Sequence, residues 1–140
     1  MQEARKARIR LQSRHEGQNV VQETQAEAFE RGGALYLRYE EPDADLQGQK
    51  TRTLLKITGD SLKMIRHGAV ESEQTFQEGQ MLPGFYRSPY TSFNLSTQTS
   101  SLRIQLNGGM SGTVSWAYDL YVYEERTGHF DISLHIQEEH

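Results

Sequence analysis

From Ala7 to Gln137, apolar residues recur at every second position in one segment after another. A period of two fits the pleat of a strand with one packed face and one wet face, and it cannot serve a helix. Ala7, Ile9, Leu11 and Ser13 alternate with Arg8, Arg10, Gln12 and Arg14, and Leu35, Leu37 and Tyr39 alternate with Tyr36, Arg38 and Glu40. Thr53, Leu55 and Ile57 share a face, as do Leu62, Met64 and Arg66, then Val70, Ser72, Gln74 and Phe76. The same holds for Phe93, Leu95, Thr97 and Thr99, and for Leu102, Ile104 and Leu106. The clearest runs come last: Val114, Trp116, Tyr118, Leu120 and Val122, then Phe130, Ile132, Leu134 and Ile136.

Turn signals separate the runs at Gly32-Gly33, Pro42-Asp43 with Gly48, Gly59-Asp60, His67-Gly68, Asn107-Gly108-Gly109 and Thr127-Gly128. Many short alternating strands joined by tight turns predict an all-β antiparallel barrel, mostly up-and-down, of about eight to ten strands. It occupies residues 1–140 as one domain; a two-sheet sandwich is the alternative. Residues 20–31 have the composition of a helix with a glycine cap, but they lie between two strands with short links and are assigned to a strand. Residues 79–90, with Pro83, Gly84 and Pro89, read as a loop carrying a short strand or helical turn, and as the place for a lid. Arg5, Lys6, Arg8, Arg10 and Arg14 face only Glu3 in the first fourteen residues, whereas the end carries Glu138 and Glu139. Pairing of the first and last strands would set Arg8, Arg10 and Arg14 near Asp131, Glu138 and Glu139 and remove both sheet edges.

Only 35% of the residues are hydrophobic, and the polar excess is uncharged: 13 Gln, 11 Ser and 10 Thr. One-sided strands give this balance; parallel sheets covered on both faces would be richer in aliphatics. With no cysteine there is neither a disulfide framework nor a thiolate metal site. No apolar run resembles a signal segment or approaches the ~18 residues of a membrane span, so a cytoplasmic setting is expected. A net charge of −4 and a pI near 5.7 argue against nucleic-acid binding by bulk charge.

The strand and turn Leu62-Lys63-Met64-Ile65-Arg66-His67-Gly68-Ala69-Val70 carries a resemblance. Taken with Tyr39-Glu40-Glu41, the Thr53 to Ile57 strand, Phe76, the Tyr86 to Thr99 stretch and Trp116-Ala117-Tyr118-Asp119-Leu120, it resembles the YwiB-like family of small bacterial proteins. The resemblance runs from about Ala7 to Gln137; Thr91 departs from it, standing where many relatives have glycine. It implies a calycin-like barrel, akin in shape to lipocalins, and transfers no active site.

Among candidate functional residues Arg66 stands first, because parity turns it inward with Leu62 and Met64. An inward guanidinium needs a carboxylate, a ring of acceptors or an anionic ligand. Tyr39, Tyr118 and Thr53 share inward parity, and their hydroxyls could complete a polar end suited to a small amphipathic, fatty-acid-like anion. The competing account pairs Arg66 with a protein group such as Glu40 at the strand end. Trp116, Tyr118, Phe93, Phe130 and Phe76 all point inward and could instead fill the interior, leaving a protein or RNA interaction module that works through its outer wall. Arg8, Arg10 and Arg14, with Arg38 and Tyr36, are the basic and aromatic candidates for such a wall, and Tyr121 and Tyr123 also have outward parity. No catalytic set is recognisable. His129, Asp131 and His135 lack metal-ligand spacing, Ser115, Asp119 and His135 lack a nucleophile elbow, and the residues from Asn107 to Gly112 lack the lysine of a phosphate-binding loop. No cofactor is expected.

Overall fold

The computed structural model describes residues 4–45, 47–107 and 109–139, with only the backbone of Asp43. Glu3 and Gly108, named above, lie outside the described residues. Ten strands follow one another: β1 (Arg5–His15), β2 (Gln18–Arg31), β3 (Ala34–Ala44), β4 (Lys50–Ile57), β5 (Leu62–Gly68), β6 (Glu71–Phe76), β7 (Met81–Arg87), β8 (Ser92–Leu106), β9 (Gly112–Val122) and β10 (Glu125–Glu138). Each pairs antiparallel with its neighbour in sequence, and β1 pairs with β10, which closes an up-and-down barrel. No helix of the described residues is long and apolar enough to cross a membrane.

Residues 20–31 lie within β2, where Ala26 and Ala28 are buried and Glu27 is exposed; period-two burial overrides helix propensity here. Residues 81–87 form wall strand β7, so no lid occupies that stretch. Phe93–Thr99 and Leu102–Leu106 belong to one long strand, β8, in which a register shift between Thr99 and Ser101 moves the inward set from odd to even numbers. Thr127-Gly128 is no turn: it lies inside β10, at a shift between Arg126 and Gly128. The β9–β10 turn is made by Tyr123 and Glu124, both at positive φ (53° and 66°). Glu16 and Gly17 (49° and 78°) make the β1–β2 turn in the same way, the geometry that matches hairpin twist. A Cβ on Gly128 would come within 2.5 Å of His15 Cε1, and the His15 ring stacks on Phe130 at 4.1 Å.

The terminal strands pair as their charges suggest, but the partners differ in detail. Arg14 stands opposite Asp131 as expected, whereas Arg5 bonds Glu138 at 2.8 Å and Arg10 lies 3.4 Å from Glu23 of β2. Leu37, Leu55, Leu62, Phe76, Val114, Trp116 and Leu134 are buried and fill the middle of the barrel, Phe76 lying against Trp116 and Tyr118 at 5.6 and 4.8 Å.

One seam is incomplete. β2 pairs with β3 only from Glu27↔Arg38 to Arg31↔Ala34, whereas β1 pairs with all of β2 from Gln18 to Ala28. A two-residue turn makes His15↔Gln18 a hydrogen-bonded pair, so the even-numbered residues of β2 bond to β1 and the odd-numbered ones face the other way. Asn19, Val21, Glu23 and Gln25 therefore present backbone groups toward the β3 side, beyond the end of the β2–β3 ladder.

Candidate functional site

Antiparallel alternation gathers the turns after β1, β3, β5, β7 and β9 at one end of the barrel. Arg66 lies two residues before the end of β5, in register with Thr53 of β4, which is in register with Tyr39 of β3. Beyond Glu40 the register of β3 shifts, and residues 41–43 stand against Thr51 alone. This bulge presents Glu41 to Arg66.

The pairing is bidentate. Arg66 donates from Nε to Glu41 Oε2 at 2.8 Å and from Nη2 to Oε1 at 2.9 Å, while the Thr53 hydroxyl donates to Oε2 at 2.7 Å. The partner is thus Glu41; Glu40 faces outward and pairs with Lys50 at 3.2 Å. Glu41 carries the same parity as Leu35, Leu37 and Tyr39, which is the signal that identifies it. Burial raises the Glu41 carboxyl, but the Arg66 and Thr53 hydrogen bonds and the Arg66 charge outweigh it, leaving it below the ordinary range. Burial likewise lowers Arg66, and Glu41 more than restores it.

The four candidates Arg66, Tyr39, Tyr118 and Thr53 converge. Tyr39 is pushed up to about 12, first by burial and then by the charge of Glu41, against Thr53 and Arg66. Tyr118 is also pushed up to about 12 by burial, against a Gln74 hydrogen bond and the charge of Arg66. Gln74 in turn donates to Thr97 at 3.3 Å. Leu11, Met64, Leu120, Phe130 and Ile132 pack against the core yet stay partly exposed, and Arg66 and Glu41 retain 27% and 16% side-chain exposure. Among the described residues, Thr99 Oγ1 and Trp116 Nε1 are buried and have no hydrogen-bond partner.

Of the remaining candidates, His129 lies 3.4 Å from Asp131 on the outer wall while His135 stands opposite Thr113, apart from both. Asp119 bonds His129 Nδ1 at 2.8 Å and Arg126 at 3.1 Å on the outer wall, and the His129 bond leads in holding its carboxyl below the ordinary range. Ser115 and His135 stand opposite Ser133 and Thr113, each away from Asp119, so the three make no triad. Arg8, Arg10 and Arg14 run along β1, separated by β2 from Tyr36 and Arg38. Tyr36 instead stacks on Phe29 of β2, which the sequence argument did not single out.

The model of a family described as "Domain of unknown function (DUF1934)" matches residues 6–134. The chain belongs to that family. An "Uncharacterized beta-barrel protein YwiB" of Bacillus subtilis (strain 168) is 32% identical to this DUF1934 chain over 92 residues, 66% of this chain and 62% of that protein. The match thus spans less than two thirds of the relative's length. The crystal structure of the ywiB protein from Bacillus subtilis shares the fold, with a TM-score of 0.76 at 21% identity over 99% of this chain and 94% of the other. The YwiB-like resemblance and the ten-stranded barrel thus agree.

Proposed function

We propose that this DUF1934 barrel is a non-enzymatic, cytoplasmic binding protein that takes a small amphipathic molecule into its mouth. The polar head of that molecule lies against Arg66, Glu41, Thr53, Tyr39 and Tyr118, and its apolar part against Leu11, Met64, Phe130 and Ile132. One observation carries this: inward-facing apolar side chains stay partly exposed at the end where a hydrogen-bonded charge pair also meets solvent. Filling by Phe76 and Trp116 limits the guest to the mouth. Because Glu41 already occupies the Arg66 fork, a second carboxylate would bring like charges together. An uncharged head that accepts hydrogen bonds from tyrosine hydroxyls fits better than the fatty-acid-like anion.

A matched pair of probes tests this, decanamide and decanoate, read by the emission of Trp116, the sole tryptophan, and by native mass spectrometry. Decanamide is expected to bind more tightly than decanoate, and Glu41→Gln to narrow or reverse the order. A folded protein that shows neither adduct nor emission change with either probe overturns the proposal, as does equal binding to an Arg66→Ala variant.

A further inference from the structure

We propose that the outer wall of β2–β5 binds single-stranded nucleic acid. Its centre is a cross-strand aromatic pair, Phe29 and Tyr36, with ring centroids 5.1 Å apart and planes 5° from parallel. Arg38 and Arg31 lie over the Phe29 ring at 5.5 and 6.0 Å, and Lys56 over Tyr36 at 5.9 Å. Bases stack on aromatic rings and on guanidinium planes alike, so the cluster is a platform of both kinds.

The register extends it. Phe29, Tyr36, Lys56 and Lys63 form one row, and Glu27, Arg38, Leu54 and Ile65 the next; Glu40, Arg52 and His67 follow. The wall faces outward with Arg31, Arg38, Lys50, Arg52, Lys56 and Lys63 against Glu23, Glu27 and Glu40, although the whole chain carries −4; Glu23, at the β1 side, is taken by Arg10. Glu27 holds Arg38, Glu40 holds Lys50, and Glu73 from β6 holds Lys63. Among the described residues, Arg31, Arg52 and Lys56 form no ion pair with a carboxylate. Three strand spacings of about 4.8 Å make the Phe29 row ~14 Å long, room for two or three nucleotides. An acidic peptide would satisfy the cations but leave the aromatic stack unused, which favours the nucleic acid.

Anisotropy titrations use fluorescein-labelled rU12 and dT12, the two arms separating RNA from DNA as the source of the same chemistry. Binding with a log–log salt slope of about −2 is expected, since three released counterions at roughly 0.7 each set the single-strand slope. Phe29→Ala with Tyr36→Ala should weaken binding at least tenfold, and Lys56→Ala should flatten the slope by about 0.7. Arg8→Ala with Arg14→Ala, on the β1 wall, should leave it unchanged. Trp116 emission and thermal melting check that each variant is folded. Three results overturn the proposal: no binding at low salt, equal loss from the β1 variant, or competition by a poly-glutamate peptide that is indifferent to loss of the two rings.

Discussion

The Arg66–Glu41 pair is worth more as a pair than as a source of stability. Replacing Arg66 by alanine leaves Glu41 half-buried without its cation; because both side chains reach solvent, the cost is about 1–3 kcal/mol, below that of a fully buried pair. Removing both charges, as in Arg66→Met with Glu41→Leu, is expected to cost less than either single change, and a double-mutant cycle by urea unfolding measures this. The pH dependence has two arms. Glu41 sits below its ordinary value, so its contribution is present above about pH 4.5 and is lost as pH falls through the folded value. Tyr39 and Tyr118 are raised to about 12, so their contribution is full below about pH 10 and fades between 10 and 12. Melting temperatures against pH should fall at both ends, with Glu41→Gln flattening the acid arm and Tyr39→Phe weakening the alkaline one. Parity alone places Arg66, Tyr39, Thr53 and Tyr118 on one interior surface. The choice of Glu41 over Glu40 also follows parity, but the approach of Glu41 to Arg66 depends on a bulge that no alternation pattern reveals.

At the level of strands and turns, alternation makes the strands legible, and glycine misleads about where some turns fall. Thr127-Gly128 resembles a hairpin turn, yet it is a strand irregularity where Gly128 gives room to the His15 ring; the need for glycine there comes from a side chain more than a hundred residues away. The true turn, Tyr123-Glu124, has no glycine and holds two side-chain-bearing residues at positive φ, a conformation costing roughly 1–2 kcal/mol per residue. Tyr123→Asn with Glu124→Gly should therefore stabilise the protein by about 1 kcal/mol, seen as a higher urea midpoint with unchanged slope. Phe29 escapes the sequence argument for a related reason: β2 carries helix-like composition, which hides the outward parity that sets Phe29 beside Tyr36.

For the molecule as a whole, closure by β1 and β10 is foreshadowed by the opposite charges of the two ends, although the ion pairs form between different partners than the sequence suggests. The seam between β2 and β3 is not foreshadowed, because it depends on where one ladder stops rather than on which residues alternate. That seam should be visible in hydrogen exchange as an odd–even code. Amides of Val20, Gln22, Thr24 and Ala26 bond back to β1 and should exchange slowly, while those of Asn19, Val21, Glu23 and Gln25 should exchange near the rate of an unstructured peptide. Residue-resolved exchange by NMR would read this directly, and uniform protection along β2 would contradict it. Beyond Glu27 the fast half of that code should stop, because Glu27, Phe29 and Arg31 regain β3 as a partner. A single strand would then carry two degrees of protection along its length, and the β1–β2 hairpin would be the first part of the wall to open while the rest of the barrel stays closed.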